Sequence, residues 1–191
     1  MKKNFIILFL VALIPIKAFA LIEVDITRGN LNPLPLAVSP LSIDDKSKKS
    51  FKKILKKENI GSEISTIVEN NLRTSGLFNP LSKEAFLQAP DIANLKPRFE
   101  DWNLIKAQAL ITGNVRYVNE KLRVEFRLWD VLAAKEMMAL AFTTVPNNWR
   151  RVGHIISDKV YERLTGEKGY FDTRIIYVAE EGPKTQRVKK L

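Results

Sequence analysis

The sequence predicts an α+β protein, a small mixed or antiparallel sheet with helices packed on one side. Three observations carry that expectation. Residues 109–145 hold three runs of apolar and polar alternation joined by short connections, as in an antiparallel meander with one buried and one wet face. Two segments, near 62–76 and 148–166, repeat apolar residues at helical spacing and stop at a glycine. The composition, 46% hydrophobic and 27% charged over 191 residues, is that of a folded chain.

Residues 1–20 read as an export signal. Lys2 and Lys3 precede an apolar run of twelve residues from Phe5 to Ile16, and Ala18 and Ala20 supply the small residues of a cleavage site. The run is shorter than the ~20 residues that span a bilayer. Cleavage after Ala20 is expected to leave residues 21–191 in an oxidising compartment outside the cytoplasm.

Leu21 to Gly29 (LIEVDITRG) alternates Ile22, Val24 and Ile26 with Glu23, Asp25 and Thr27, the pattern of a strand with one apolar and one acidic face. Leu34 to Leu41 is a second β-prone run, whose Pro35 and Pro40 suit its ends rather than a central ladder position. Ser62 is placed to cap a helix carrying Ile64, Ile67, Val68 and Leu72 and ending at Gly76. Phe78 to Leu81 reads as a turn. Beyond a stretch punctuated by Pro90 and Pro97, Phe99, Trp102 and Ile105 suit a short helix laid on the sheet. The three strands are expected at Ala109–Val118, Lys121–Asp130 and Lys135–Val145. A last helix, from about Asn148 to Leu164, turns Trp149, Val152, Ile155, Ile156, Val160 and Leu164 inward and stops at Gly166.

Charge is unevenly placed. Beyond residue 20, 28 Lys and Arg face 21 Asp and Glu, and seven of those lysines stand between Lys46 and Lys57 with no acid among them. The rest of that chain is balanced. Phe51, Ile54 and Leu55 have the spacing of a short helix that tucks three apolar side chains inward while the lysines stay solvated. The alternative is a basic patch that touches anionic lipid or nucleic acid.

The chemistry-bearing residues exclude many classes. With no cysteine and one histidine, thiolate metal sites, cysteine nucleophiles and histidine-rich centres are ruled out. No phosphate-binding glycine loop, nucleophile elbow or H-E-x-x-H pair is present. His154 and Asp158 stand four apart on the last helix, a spacing that suits a shared metal, but they fit ordinary charge pairing with Arg150, Arg151 and Glu162. Glu180 and Glu181 sit in a turn-like stretch. No catalytic residue, metal site or cofactor is expected, and no enzymatic activity.

Trp149 to Gly182, including the pattern H-x-x-x-D-x-V-Y-E-x-L-T-G running into F-x-T-R-I-I-Y-V, resembles the junction region of the TolB family, periplasmic components of the Tol-Pal envelope system of Gram-negative bacteria. IEVDITRG, PLAVSPL, NNLRTSGLFNPL (Asn70 to Leu81) and ALITGNVRY (Ala109 to Tyr117) are similar to the family's amino-terminal domain in the same order. The resemblance implies an amino-terminal α/β domain at 21–168, followed at 169–191 by the truncated start of a six-bladed β-propeller. Arg174–Val178 would be its first strand and Gln186–Leu191 at most a second, an orphan pair. It also implies a periplasmic adaptor contributing to outer-membrane integrity and to invagination at division.

By matching position, Leu21, Ile22, Glu23, Val24, Asp25, Ile26, Thr27, Arg28 and Gly29 would bind the periplasmic end of TolA. The lipoprotein Pal would bind only where the missing propeller is supplied. No nucleic-acid partner is implied, and the contact with membranes is peripheral rather than inserted. The lysine segment departs from the family pattern. It carries the rival expectation, an exported protein that binds anionic surfaces through Lys46–Lys57; a non-functional truncated remnant is the third.

Overall fold

A computed structural model describes residues 32–173, 178–183 and 188–190. The expected signal, the cleavage residues Ala18 and Ala20, the alternating segment Leu21–Gly29 and most of the expected strand at Arg174–Val178 lie outside the described residues. The α+β class with a mixed sheet holds. Strands β1 (Leu34–Val38), β2 (Ser42–Ile43), β3 (Phe78–Pro80), β4 (Ala109–Val118), β5 (Lys121–Asp130) and β6 (Lys135–Thr144) form one sheet. Its order is β3-β1-β4-β5-β6, with β2 also paired to β4. β1 runs parallel to both β3 and β4, whereas β4, β5 and β6 form the expected antiparallel meander.

The meander follows its sequence pattern closely. Leu122, Val124, Phe126 and Leu128 of β5 are buried while Arg123, Glu125 and Arg127 turn to the wetter face. Asn119 and Glu120 connect β4 to β5, both at positive φ (49° and 62°), which suits a tight turn matched to the twist of the flanking strands.

Helices α1 (Asp45–Leu55), α2 (Ile60–Thr74) and α5 (Trp149–Thr165) belong to the larger core, with the buried side chains Leu36, Val38, Ile111, Val115 and Phe126 of the sheet. Ile60, Ile64, Val68 and Leu72 of α2 are almost wholly buried, each contributing about 1.5–3 kcal/mol of burial free energy. Two short helices, α3 (Pro90–Leu95) and α4 (Phe99–Leu104), the latter the expected helix of Phe99 and Trp102, help form a smaller core on the other face of the sheet, where Ala37 and Leu110 alternate with Leu36 and Ile111. Contrary to expectation, the helices are therefore not packed on one side only, because both faces of β1 and β4 are apolar. In the smaller core Trp102 packs with Ala37, Ala93 and Leu110, and its indole Nε1 donates to Gln88 Oε1 at 3.0 Å.

The prolines fall at the ends of β1, as expected: Pro40 lies past the strand, and Pro35, its second residue, pairs with Asn79 of β3 while its carbonyl accepts from Gln108 N just before β4 begins, so its missing N–H costs no bond to β4. Three further expectations are corrected. Phe78–Pro80 is a short edge strand rather than a turn, where a proline is tolerated. Ser62 does not cap α2: the helix starts at Ile60 because that side chain is fully buried, which places Ser62 in the first turn with its carbonyl accepting from Thr66 Oγ1. In α1 the inward positions are Ser47, Phe51 and Leu55, and Ile54 is exposed, since the helix faces the sheet along i, i+4, i+8.

Past α5, β7 (Ala179–Glu181) and β8 (Val188–Lys190) pair antiparallel in a separate two-stranded sheet. Glu180 and Glu181 therefore lie in a strand, not a turn. Among the described residues, no helix is long and apolar enough to cross a membrane.

Candidate functional site

At its amino-terminal side the described chain is tied down by backbone. Leu34 N donates to Leu77 O at 2.9 Å on one side of β1, and Ser39 N donates to Ile111 O at 2.9 Å on the other. Leu36 and Ala37 between them have no solvent exposure. Whatever precedes Asn32, including Leu21–Gly29, is thus joined to a buried, doubly paired strand.

The lysine segment is a real helix with built ends. Asp44 Oδ1 accepts from Ser47 N at 2.9 Å, and Ser47 Oγ donates to Asp44 Oδ2 at 2.7 Å while accepting from Tyr117 N at 2.8 Å. The bonds from the Ser47 backbone and hydroxyl hold the Asp44 carboxyl below its ordinary value. Phe51 is buried edge-on against Tyr117, with ring centroids 5.6 Å apart. At the far end Lys56 takes a left-handed φ of 57°, and Lys57 Nζ bonds Glu63 at 2.7 Å and lies 5.3 Å from the Trp149 ring centroid. Lys48 pairs with Asp45 and Lys52 with Glu58. Lys46, Lys49, Lys53 and Lys56 are exposed and make no ion pair among the described residues.

At the carboxy-terminal side the tie is made by side chains. α5 ends where Gly166 adopts φ 76°, a left-handed conformation that ordinary residues disfavour. The chain then folds back so that Asp158 accepts from Phe171 N at 2.6 Å and from Asp172 N at 3.0 Å. A side chain at Gly169 would collide with Asp158, so the approach requires glycine. Arg151 clasps Asp172 through Nε and Nη2, all at 3.1 Å. Tyr161 packs edge-on against Phe78, Tyr170 and Phe171.

His154 and Asp158 therefore do not converge. Asn71 Nδ2 lies 2.9 Å from His154 Nδ1 and donates to Ser157 Oγ at 3.0 Å, fixing α2 to α5, while Asp158 serves the returning loop. Among the described residues no group of three His, Asp or Glu side chains has the arrangement of a metal site. Charge pairing alone did not reveal the role of Asp158; the signal available was the pair Gly166 and Gly169 ahead of an aromatic and an acid.

The sequence model of the TolB amino-terminal domain matches residues 22–137. A Tol-Pal system protein TolB from Pelagibacter ubique is 84% identical over 185 residues, covering 97% of this chain. The chain belongs to the TolB family. It spans 41% of that relative's length. A crystal structure of TolB from Acinetobacter baumannii superposes with a TM-score of 0.61 at 24% identity, over 77% of this chain and 32% of that one, a likeness of fold. Within this TolB-family chain, the H-x-x-x-D-x-V-Y-E-x-L-T-G pattern is legible as structure. His154 joins two helices, Asp158 holds the returning loop, Tyr161 seats its aromatics, and Gly166 ends the helix.

Proposed function

We propose that the chain is the amino-terminal module of a periplasmic adaptor of the Tol-Pal system, acting by binding rather than by catalysis. The observation that carries this is the 84% identity to a Tol-Pal system TolB across nearly the whole chain. Export by residues 1–20 delivers it to the periplasm. Its own contact is the segment Leu21–Gly29, which binds the periplasmic domain of TolA. The alternation of Ile22, Val24 and Ile26 with Glu23, Asp25 and Thr27 supports this, because an extended arm can add as a strand to an exposed sheet edge of a partner. Its attachment to β1 supports it too, since a doubly paired strand gives the arm a fixed origin.

The residues from 169 onward begin the segment that leads to a β-propeller, and the contact with Pal belongs to that propeller. The module's place in outer-membrane integrity and in invagination at division follows from coupling these two contacts. Calorimetric titration of the TolA periplasmic domain into the exported chain tests the arm: binding is expected, and loss on deletion of residues 21–29. Equal binding by the deleted chain would overturn the assignment.

A further inference from the structure

Three lysines of α1 and the lysine that ends it make no ion pair among the described residues. Lys46, Lys49 and Lys53 follow at intervals of three and four residues, which brings them to one side of the helix, and exposed Lys56, its left-handed C-cap residue, stands three residues on, a span of about 15 Å in all. That side is opposite Ser47 and Phe51, which are buried. The neighbouring acids are engaged elsewhere: Asp44 by the Ser47 amide and hydroxyl, Asp45 by Lys48, Glu58 by Lys52 and Glu63 by Lys57. Among the described residues no carboxylate pairs with the stripe.

Like charges at these spacings repel, so the stripe works against the helix that bears it. The helix is held regardless, by the Asp44 cap and by Phe51 in the core. A face needed only for solubility would mix the two signs. The stripe also lacks arginine, whose fork reads single phosphates, and aromatic rings, which stack on bases. A straight row of flexible ammonium groups fits a flat surface with many laterally mobile anions.

We propose that α1 is an electrostatic docking surface for a bilayer rich in anionic phospholipid. It touches headgroups without insertion, since Ile54 is the large apolar side chain that α1 exposes. The proposal stands independently of the TolA contact.

The test uses the exported chain, so that residues 1–20 do not contribute, and vesicles of phosphatidylcholine with and without phosphatidylglycerol. Partitioning onto the anionic vesicles alone is expected, fading as salt rises. K46Q, K49Q, K53Q and K56Q made together should lower the partition coefficient about a hundredfold or more. The same charge change at K96Q, K106Q, K121Q and K168Q should leave most of it. Removing repulsion should let the stripe variant melt no lower than the parent, so its loss is a loss of surface. Absence of binding, equal loss in both variants, or tighter binding to a DNA duplex than to the vesicles at equal phosphate concentration would overturn the proposal.

Discussion

The two ends of the six-stranded domain are held by different means. At the amino-terminal end, backbone bonds on both sides of β1 do the holding, through Leu34, Ser39 and their partners. At the carboxy-terminal end one carboxylate, Asp158, holds the amides of Phe171 and Asp172, helped by Arg151 and a cluster of rings. A backbone ladder tolerates many side chains, whereas a side-chain clasp demands particular ones. The clasp should therefore be released by one substitution that spares the body, and the ladder should fail only with the core beneath it.

The largest effect is expected at the ladder. Leu36→Ala opens a cavity under β1 and should cost about 2–5 kcal/mol in a denaturant titration, because the site is fully buried and flanked by strands that cannot collapse onto it. At the clasp, Asp158→Asn keeps the shape but leaves one acceptor oxygen for two amides, so one bond becomes neutral and the other is replaced by a donor facing a donor, for about 1–3 kcal/mol. Its signature is local: the amides of Phe171 and Asp172 should exchange much faster with solvent, while those of β4 and β5 keep their protection. Uniform acceleration would show that the clasp is part of the core.

A smaller effect is expected at the Asp44 cap. Asp44→Ala should cost about 1 kcal/mol of thermal stability. Because bonding to Ser47 lowers the folded-state pKa below the ordinary 3.8, the cap's contribution is complete above that value and lost as pH falls through the lowered one. The gap between parent and D44A should close in acid, and a gap that persists there would assign the loss to something other than the carboxylate.

What was legible in the sequence follows the same division. β4 and β5 were readable to the residue, and the strand and stop at Lys135–Thr144 and Gly166 nearly so, because alternation and a left-handed glycine are local signals. The strand Phe78–Pro80 was not, since three residues become a strand only through Leu34 and Leu36 of β1, more than forty residues away. Gln88 and Trp102 meet through loops whose course no periodicity sets. Asp158 was seen as a member of a motif, but its partners lie 13 and 14 residues on, across a reversal that propensity does not specify. The segment Leu21–Gly29 rests on its alternation and on the family likeness alone.

The central claim is that the TolA contact lies in the arm and that the domain serves as its anchor. The most direct test is an isotope-labelled titration, in which the amide spectrum of the exported chain is followed as the TolA periplasmic domain is added. The account predicts shifts in residues 21–32, fading through Leu34–Val38, with α1, the β4 to β6 meander and the Asp158 clasp unmoved. Shifts centred on α1 or on the meander, with residues 21–29 unchanged, would contradict it.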